Sequence, residues 1–319
     1  MHKQGFTDII FKWIFGLIAG ALIIIFFVHF ATQHITISEA LNTREQAAYL
    51  DDQLEAFGIA ESSSKTINLQ RTFTLATSCD GFGFGDAQKK TNKVIFAPQI
   101  LEGTTLNAWT ESWDYPYKIT NLYYLSNKNG RVLLVYDDNS AAFVRDLKIP
   151  SIFNVQKIDV RDFHIEAVKR ESSTLQHLNL AFFTHVSNPQ QFVSSFSFPV
   201  DVVEIEPATQ KITYYNSGTT SFYPSVEFVY GAIIGPENYA CLLDKALKRK
   251  EYVTQVYEHK AELLRLKTHD ETCNSALTET SKTLNTFKTL QDQGQLEAYK
   301  NDLEEQNKHL EKNDCTPLY

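Results

Sequence analysis

Between Ile9 and Ala31 the chain reads IIFKWIFGLIAGALIIIFFVHFA, an apolar run without a counterpart elsewhere in the sequence. As a helix it extends roughly 34 Å at about 1.5 Å per residue, enough to cross the hydrocarbon core of a bilayer. The part from Trp13 to Val28 carries no charge. Lys12 sits where its stem can snorkel to one interface, His29 marks the other end, and Trp13 suits the headgroup belt. A buried core helix is disfavoured because the segment is apolar all round. Cleavage as a signal peptide is disfavoured because His29 is too bulky for the −3 position before a cut at Ala31. His2, Lys3 and Lys12 flank the N-terminal side, whereas Glu39 and Arg44 are the first charges beyond the run. The positive-inside rule therefore predicts a single-pass cell-membrane protein with a cytoplasmic N-terminus and residues 32–319 extracytoplasmic. Gly16 and Gly20, one turn apart, would let two such helices approach closely and pack.

Lys3-Gln4-Gly5-Phe6-Thr7 followed by the long apolar run resembles the processing site of type IV pilin precursors. The resemblance implies cleavage after Gly5 and packing of the helix into a filament. The chain departs from the family at Ile10, which stands where the family places a glutamate; Asp8 is the nearby acid.

Residues 38–57 continue in helical register, with Ala47, Leu50, Leu54 and Phe57 on one stripe. Ser38 can cap a separate helix, or the membrane helix can run straight on; the β-branched, polar stretch at 32–36 favours a break. Gly58 ends the helix, and 61–65 reads as a flexible joint. The segment 33–66 is thus a stalk, either a spacer or a partner helix for a second copy.

At 319 residues the chain can hold one large domain or two modest ones, and 43% apolar and 13% aromatic residues are ample for a core. The net charge of −8 repels phosphate backbones and argues against a nucleic-acid partner. The basic trio Lys248-Arg249-Lys250 lies in a helical pattern and reads as a solvated face. Between 67 and 236 short β-rich runs dominate: 72–77, 93–96, 118–125, 131–136, 155–160, 178–184, 200–205, 211–215 and 226–233. Asn127-Lys128-Asn129-Gly130 predicts a hairpin over 118–136, and Pro207-Ala208-Thr209-Gln210 joins two further strands. Helical pieces at 140–147 and 188–196 make the order strand–helix–strand in places. The prediction is an α/β (or α+β) fold with a mixed sheet.

From 237 to 319 helical periodicity takes over, with helices expected at 238–267, 271–291 and 295–313 and short breaks between them. They predict a C-terminal antiparallel helical hairpin or small bundle. An antiparallel pair brings Cys273 near Cys315, which leaves Cys241 for Cys79; an extracytoplasmic location permits both disulfides. No N-x-S/T sequon occurs, which fits a prokaryotic envelope protein.

Few residues nominate themselves for chemistry. Asp137 and Asp138 end an apolar strand, where ligands of α/β sheets gather, so they are the candidate acid–base or metal-binding pair. Asp137-Asp138-Asn139-Ser140 equally supplies a turn and a helix cap. Cys79-Asp80-Gly81-Phe82-Gly83-Phe84-Gly85-Asp86 is glycine-rich but lacks the pattern of a phosphate or calcium loop, and reads as a mobile or membrane-proximal aromatic loop. His164, His177 and His185 lack zinc-site spacing and read as surface or strand-edge histidines. No cofactor or metal is implied. The expectation is a membrane-anchored structural or protein-interaction component, with the lipid bilayer and either protein partners or its own copies as contacts. The alternatives are a pilin-like subunit of a surface filament or secretion system, and an anchored hydrolase using the Asp137–Asp138 carboxylates.

Overall fold

The computed structural model describes residues 4–60, 62–171, 174–290 and 293–319, and within the first helix the side chains of 16–30 and 41–57. That helix, α1, runs from Gln4 to Phe57 as 54 unbroken residues. Among the described residues no helix is long and apolar enough to cross a membrane. The expected span between Ile9 and Ala31 lies partly outside them, since only its 16–30 portion has described side chains.

Six strands follow α1 and form one sheet: β1 (Ser63–Ser78), β2 (Gly81–Phe84), β3 (Ala87–Lys90), β4 (Val94–Phe96), β5 (Ile100–Asp114) and β6 (Lys118–Asn127). Their order is β3-β2-β1-β5-β6-β4, antiparallel throughout except that β4 lies parallel to β6. β2, β4, most of β6 and the second half of β5 are buried on both faces, whereas β1 buries one face and exposes the other. The period-two alternation of strands assigns residues to each face. Leu75, Leu106, Ala108 and Leu125 pack with Ala47, Leu50 and Leu54 of α1. Trp109, Trp113, Leu122 and Tyr124 face the opposite way, into the main core.

The second sheet comprises β7 (Gly130–Tyr136), β8 (Val155–Asp159), β9 (His177–Phe182), β10 (Val200–Glu206), β11 (Lys211–Tyr214) and β12 (Thr219–Phe222), in the order β12-β11-β10-β9-β7-β8. β8, β7, β9 and β10 are mutually parallel; β11 and β12 extend them as an antiparallel meander. The crossover helices lie on both faces. Val144 of α2 (Ala141–Asp146) packs with Val132 and Leu134. Val168 of α3 (Ile165–Glu171) and Phe192 of α4 (Gln190–Val193) pack with Leu133, Leu180 and Val202 on the other side. Leftward and rightward right-handed crossovers place their helices on opposite faces. The chain therefore reverses direction across the sheet between β7 and β9.

α5 (Val226–Ile234) joins the two sheets. Its residues 228–234 are all buried, and Gly231 lies so close to Phe96 that a Cβ there would meet the ring at 2.7 Å. Behind it α6 (Tyr239–Lys267), α7 (Glu271–Thr289) and α8 (Gln293–Lys312) form the C-terminal bundle. One buried cluster runs from Val94 in the first sheet through α5 to Leu318, so sheets and bundle share a core. Disulfides join Cys79 to Cys241 and Cys273 to Cys315, with Cα separations of 5.9 and 5.6 Å. Beside the first, Lys245 donates to the carbonyls of Cys79 and Thr91 at 3.0 and 2.7 Å. Asp270 caps α7 by accepting from the amides of Thr272 and Cys273, as N-caps do. The buried ammonium of Lys250 closes the other end of α7, donating to the carbonyls of Phe287 and Leu290 at 2.8 and 2.6 Å.

Several expectations are corrected. The break at 32–36 does not occur. Of the joint at 61–65, Glu61 lies outside the described residues and Ser63, Ser64 and Lys65 already open β1. The predicted hairpin over 118–136 is instead a passage between sheets: β6 belongs to the first and β7 to the second. The Asn127 side chain holds this corner by donating to Glu102 O and Gln176 Oε1. The run 226–233 is a helix, because a short, uniformly buried apolar run has no periodicity to separate strand from helix. The glycine-rich stretch is no mobile aromatic loop: Gly81–Phe84 is β2, and Phe82 and Phe84 are 1% exposed.

Candidate functional site

The reversal between β7 and β9 opens a crevice at the carboxyl ends of the parallel strands, the place where ligands bind in sheets of this kind. A cleft of about 380 Å³ occupies it, with Asp137 and Ser140 from the end of β7, Thr184 and His185 from the end of β9, and Glu204 and Glu206 from β10. Phe183, Ile205 and Pro207 supply apolar wall.

Asp137 is committed to its own turn. Its Oδ1 accepts from the backbone amide and the hydroxyl of Ser140, each at 2.9 Å, while the Asp137 amide donates to Ser140 Oγ at 3.1 Å. Burial works against its charge, but the bonds from Ser140 and from the Thr184 hydroxyl prevail and hold Asp137 below the ordinary carboxylate range. Asp138 points elsewhere. It is exposed and meets Arg161 at 3.1 Å, and the same guanidinium holds Asp159 more tightly, at 2.6 Å. The two carboxylates therefore diverge, and the strand end does not assemble them into an acid–base or metal-binding pair. The turn-forming role explains both Asp137 and Ser140, although Ser140 turns its hydroxyl back to Asp137 and does not cap α2.

Sequence reasoning missed the better-built carboxylate in the cleft. Glu204 is buried; Tyr215 donates its hydroxyl to Glu204 Oε2, and the exposed ring of His185 lies 3.4 Å from Oε1. Burial and the neighbouring Glu204 push the Tyr215 phenol upward, so it stays a proton donor. The signal available in sequence was positional: residues 137, 184–185 and 204–206 all end strands that prove parallel. Three carboxylates repel phosphate here, and the amide of Ser140, which a phosphate loop would present, is occupied. The cleft can accept a small polar or cationic group; the hydroxyl of Ser140 contacts the Asp137 carboxylate there as part of the turn.

The remaining candidates are dispersed. His164 is exposed at the start of α3. His177, expected at a surface or strand edge, is instead 7% exposed, with Nε2 2.9 Å from both Asn179 Oδ1 and Asp201 Oδ2. Among the described residues no group of three or more His, Cys, Asp or Glu side chains is placed to hold a metal ion. A Cβ at Gly16 or Gly20 would meet nothing within 4 Å, so that face of α1 is open. Compared with known proteins, the chain matches no family model, no curated protein and no solved structure.

Proposed function

We propose that this protein is a membrane-anchored, extracytoplasmic interaction module: α1 inserts in a lipid bilayer and presents a disulfide-stapled head to protein partners or further copies. The observation that carries the reading is the division of labour along α1. Its distal residues Ala47, Leu50 and Leu54 are buried against the first sheet. Its proximal residues Leu17, Ile18 and those at 22–28 leave large apolar side chains 56–72% exposed. Water does not tolerate so continuous an apolar sleeve, whereas lipid does. The two disulfides favour an oxidising compartment. The positive charges before the run favour a head outside the cytoplasm. Protease added to sealed cells is expected to digest the head and leave a membrane-embedded N-terminal fragment. Recovery of full-length chain in the soluble fraction would overturn the proposal.

One observation favours the pilin-like alternative, in which α1 packs against copies of itself in a filament: the helix is continuous from the apolar sleeve into the head, as a filament subunit requires. N-terminal sequencing of the mature protein decides it, since this reading needs a cut after Gly5. For the hydrolase alternative, Asp137 lines the strand-end cleft while Asp138 turns to Arg161, so the pair it names is not brought together.

A further inference from the structure

The outer face of α6 carries a second unpartnered apolar surface. Tyr252, Val256, Leu263 and Leu266 are 46–71% exposed. With His259 they recur at intervals of four, three, four and three residues, the spacing of a coiled-coil seam. The inner face of the same helix is fully engaged by the core through Leu243, Ala246, Leu247 and Ala261, so the exposed seam is surplus to folding.

The charges beside the seam are sorted. At about 3.6 residues per turn, Arg249 and Lys267 fall along one flank, while Glu251 and Glu262 fall along the other. All four are exposed. Lys248, near the acidic flank, is neutralised by Asp244 at 2.7 Å. When two copies of such a helix pair in parallel, the basic flank of each meets the acidic flank of its partner. Antiparallel pairing sets basic against basic and acidic against acidic. We infer that α6 is a self-association surface on which a second copy of this chain docks, seam to seam and parallel.

The inference extends the anchored-module reading, and one preparation separates the two, because membrane residence is scored by vesicle flotation and pairing by association. Full-length chain is reconstituted in phosphatidylcholine vesicles, and its dimer dissociation constant is measured by energy transfer between labelled copies. Glu251→Lys with Glu262→Lys makes both flanks basic, and Arg249→Glu with Lys267→Glu makes both acidic. Each double variant alone is expected to dimerise about tenfold or more weakly than the parent, and an equimolar mixture of the two to recover pairing. Added salt weakens the parental dimer if the copies are parallel, because the flanking pairs then attract. These side chains are exposed, so an unchanged melting temperature certifies the fold of each variant. A parent that stays monomeric, variants within twofold of the parent, or pairing that strengthens with salt overturns the inference. So does a seam whose variants alter only vesicle binding, which would assign the face to lipid.

Discussion

Lys93 holds its ammonium 2.7 Å from the carboxylate of Asp51 and so fastens the first sheet to the long N-terminal helix. Glu55 lies on the same ammonium at 2.9 Å, and Lys89 reaches Asp51 at 3.2 Å. Together with the burial of Leu50 and Leu54, these pairs make the distal end of α1 part of the folded head.

Replacing Lys93 with methionine is expected to cost about 1.5–3 kcal/mol at neutral pH, read by urea unfolding, because the Asp51 carboxylate loses a partly buried charged donor. Burial opposes the Asp51 charge, but Lys93 and Lys89 outweigh it and lower the pKa below 3.8. A depressed carboxylate stabilises the fold above its unfolded pKa and loses that contribution as pH falls through the folded value. The parent therefore loses stability below about pH 4, and Lys93→Met loses less over that window. Leu50→Ala, which opens a cavity under the helix, costs about 2–5 kcal/mol.

A second pH dependence belongs to His177. Burial works against its protonation, but Asp201 and Asn179 raise its pKa above 6.5. A raised base stabilises fully below its unfolded pKa and loses that contribution as pH rises through the folded value. Glu237 nearby is also raised, by burial and then by Asp201, so its window starts lower, at 4.5. The melting temperature should fall as pH rises from 6.5, and His177→Gln should flatten that upper segment while leaving the lower one. An unchanged profile above 6.5 in the variant counts against this assignment.

Lys250 should titrate far from the ordinary range for lysine. Its burial lowers the pKa from 10.5 to about 8, although both carbonyls at the end of α7 remain within its reach. Nitrogen-detected NMR of the side-chain amine should place its midpoint near that value. The sign is opposite to that of His177: between about 8 and 10.5 the unfolded chain binds the extra proton, so stability from this group rises with pH.

The disulfides should be separable in effect. Cys273→Ala with Cys315→Ala opens a closure of 42 residues confined to the bundle and should cost about 2–4 kcal/mol. Limited proteolysis should then attack α7 and α8 first. Cys79→Ala with Cys241→Ala releases a closure of 162 residues that ties β1 to α6, and should loosen the first sheet against the bundle. Non-reducing peptide maps of the parent should recover both pairs.

The bundle was readable because amphipathic helices announce themselves: each of α6, α7 and α8 lies within two residues of its expected start, and the antiparallel geometry at Cys273 and Cys315 left one partner for each remaining cysteine. Among the described residues eight of the twelve strands were legible one by one, but their division into two layers was not. Asn127 to Gly130 has the composition of a hairpin turn, and only the tertiary anchoring of Asn127 makes it a corner between sheets. β5 escaped notice because Thr104, Thr105, Asn107, Glu111 and Ser112 dilute its apolar residues. β2 escaped notice because glycine argues against strands unless another backbone comes close, as β3 does here. In the cleft, Asp137 was visible from its position, whereas Glu204 and Tyr215 come together only through the β10–β11 pairing.

A peptide rod without a joint transmits rotation as well as distance. Because α1 passes from sleeve to head with no interruption, each residue added between 31 and 41 would swivel the head by about 100° and lift it by about 1.5 Å. The azimuth at which α6 faces a neighbour is thus set by the count of residues in that stretch, and an insertion of a single alanine would re-aim the molecule without touching any surface it uses.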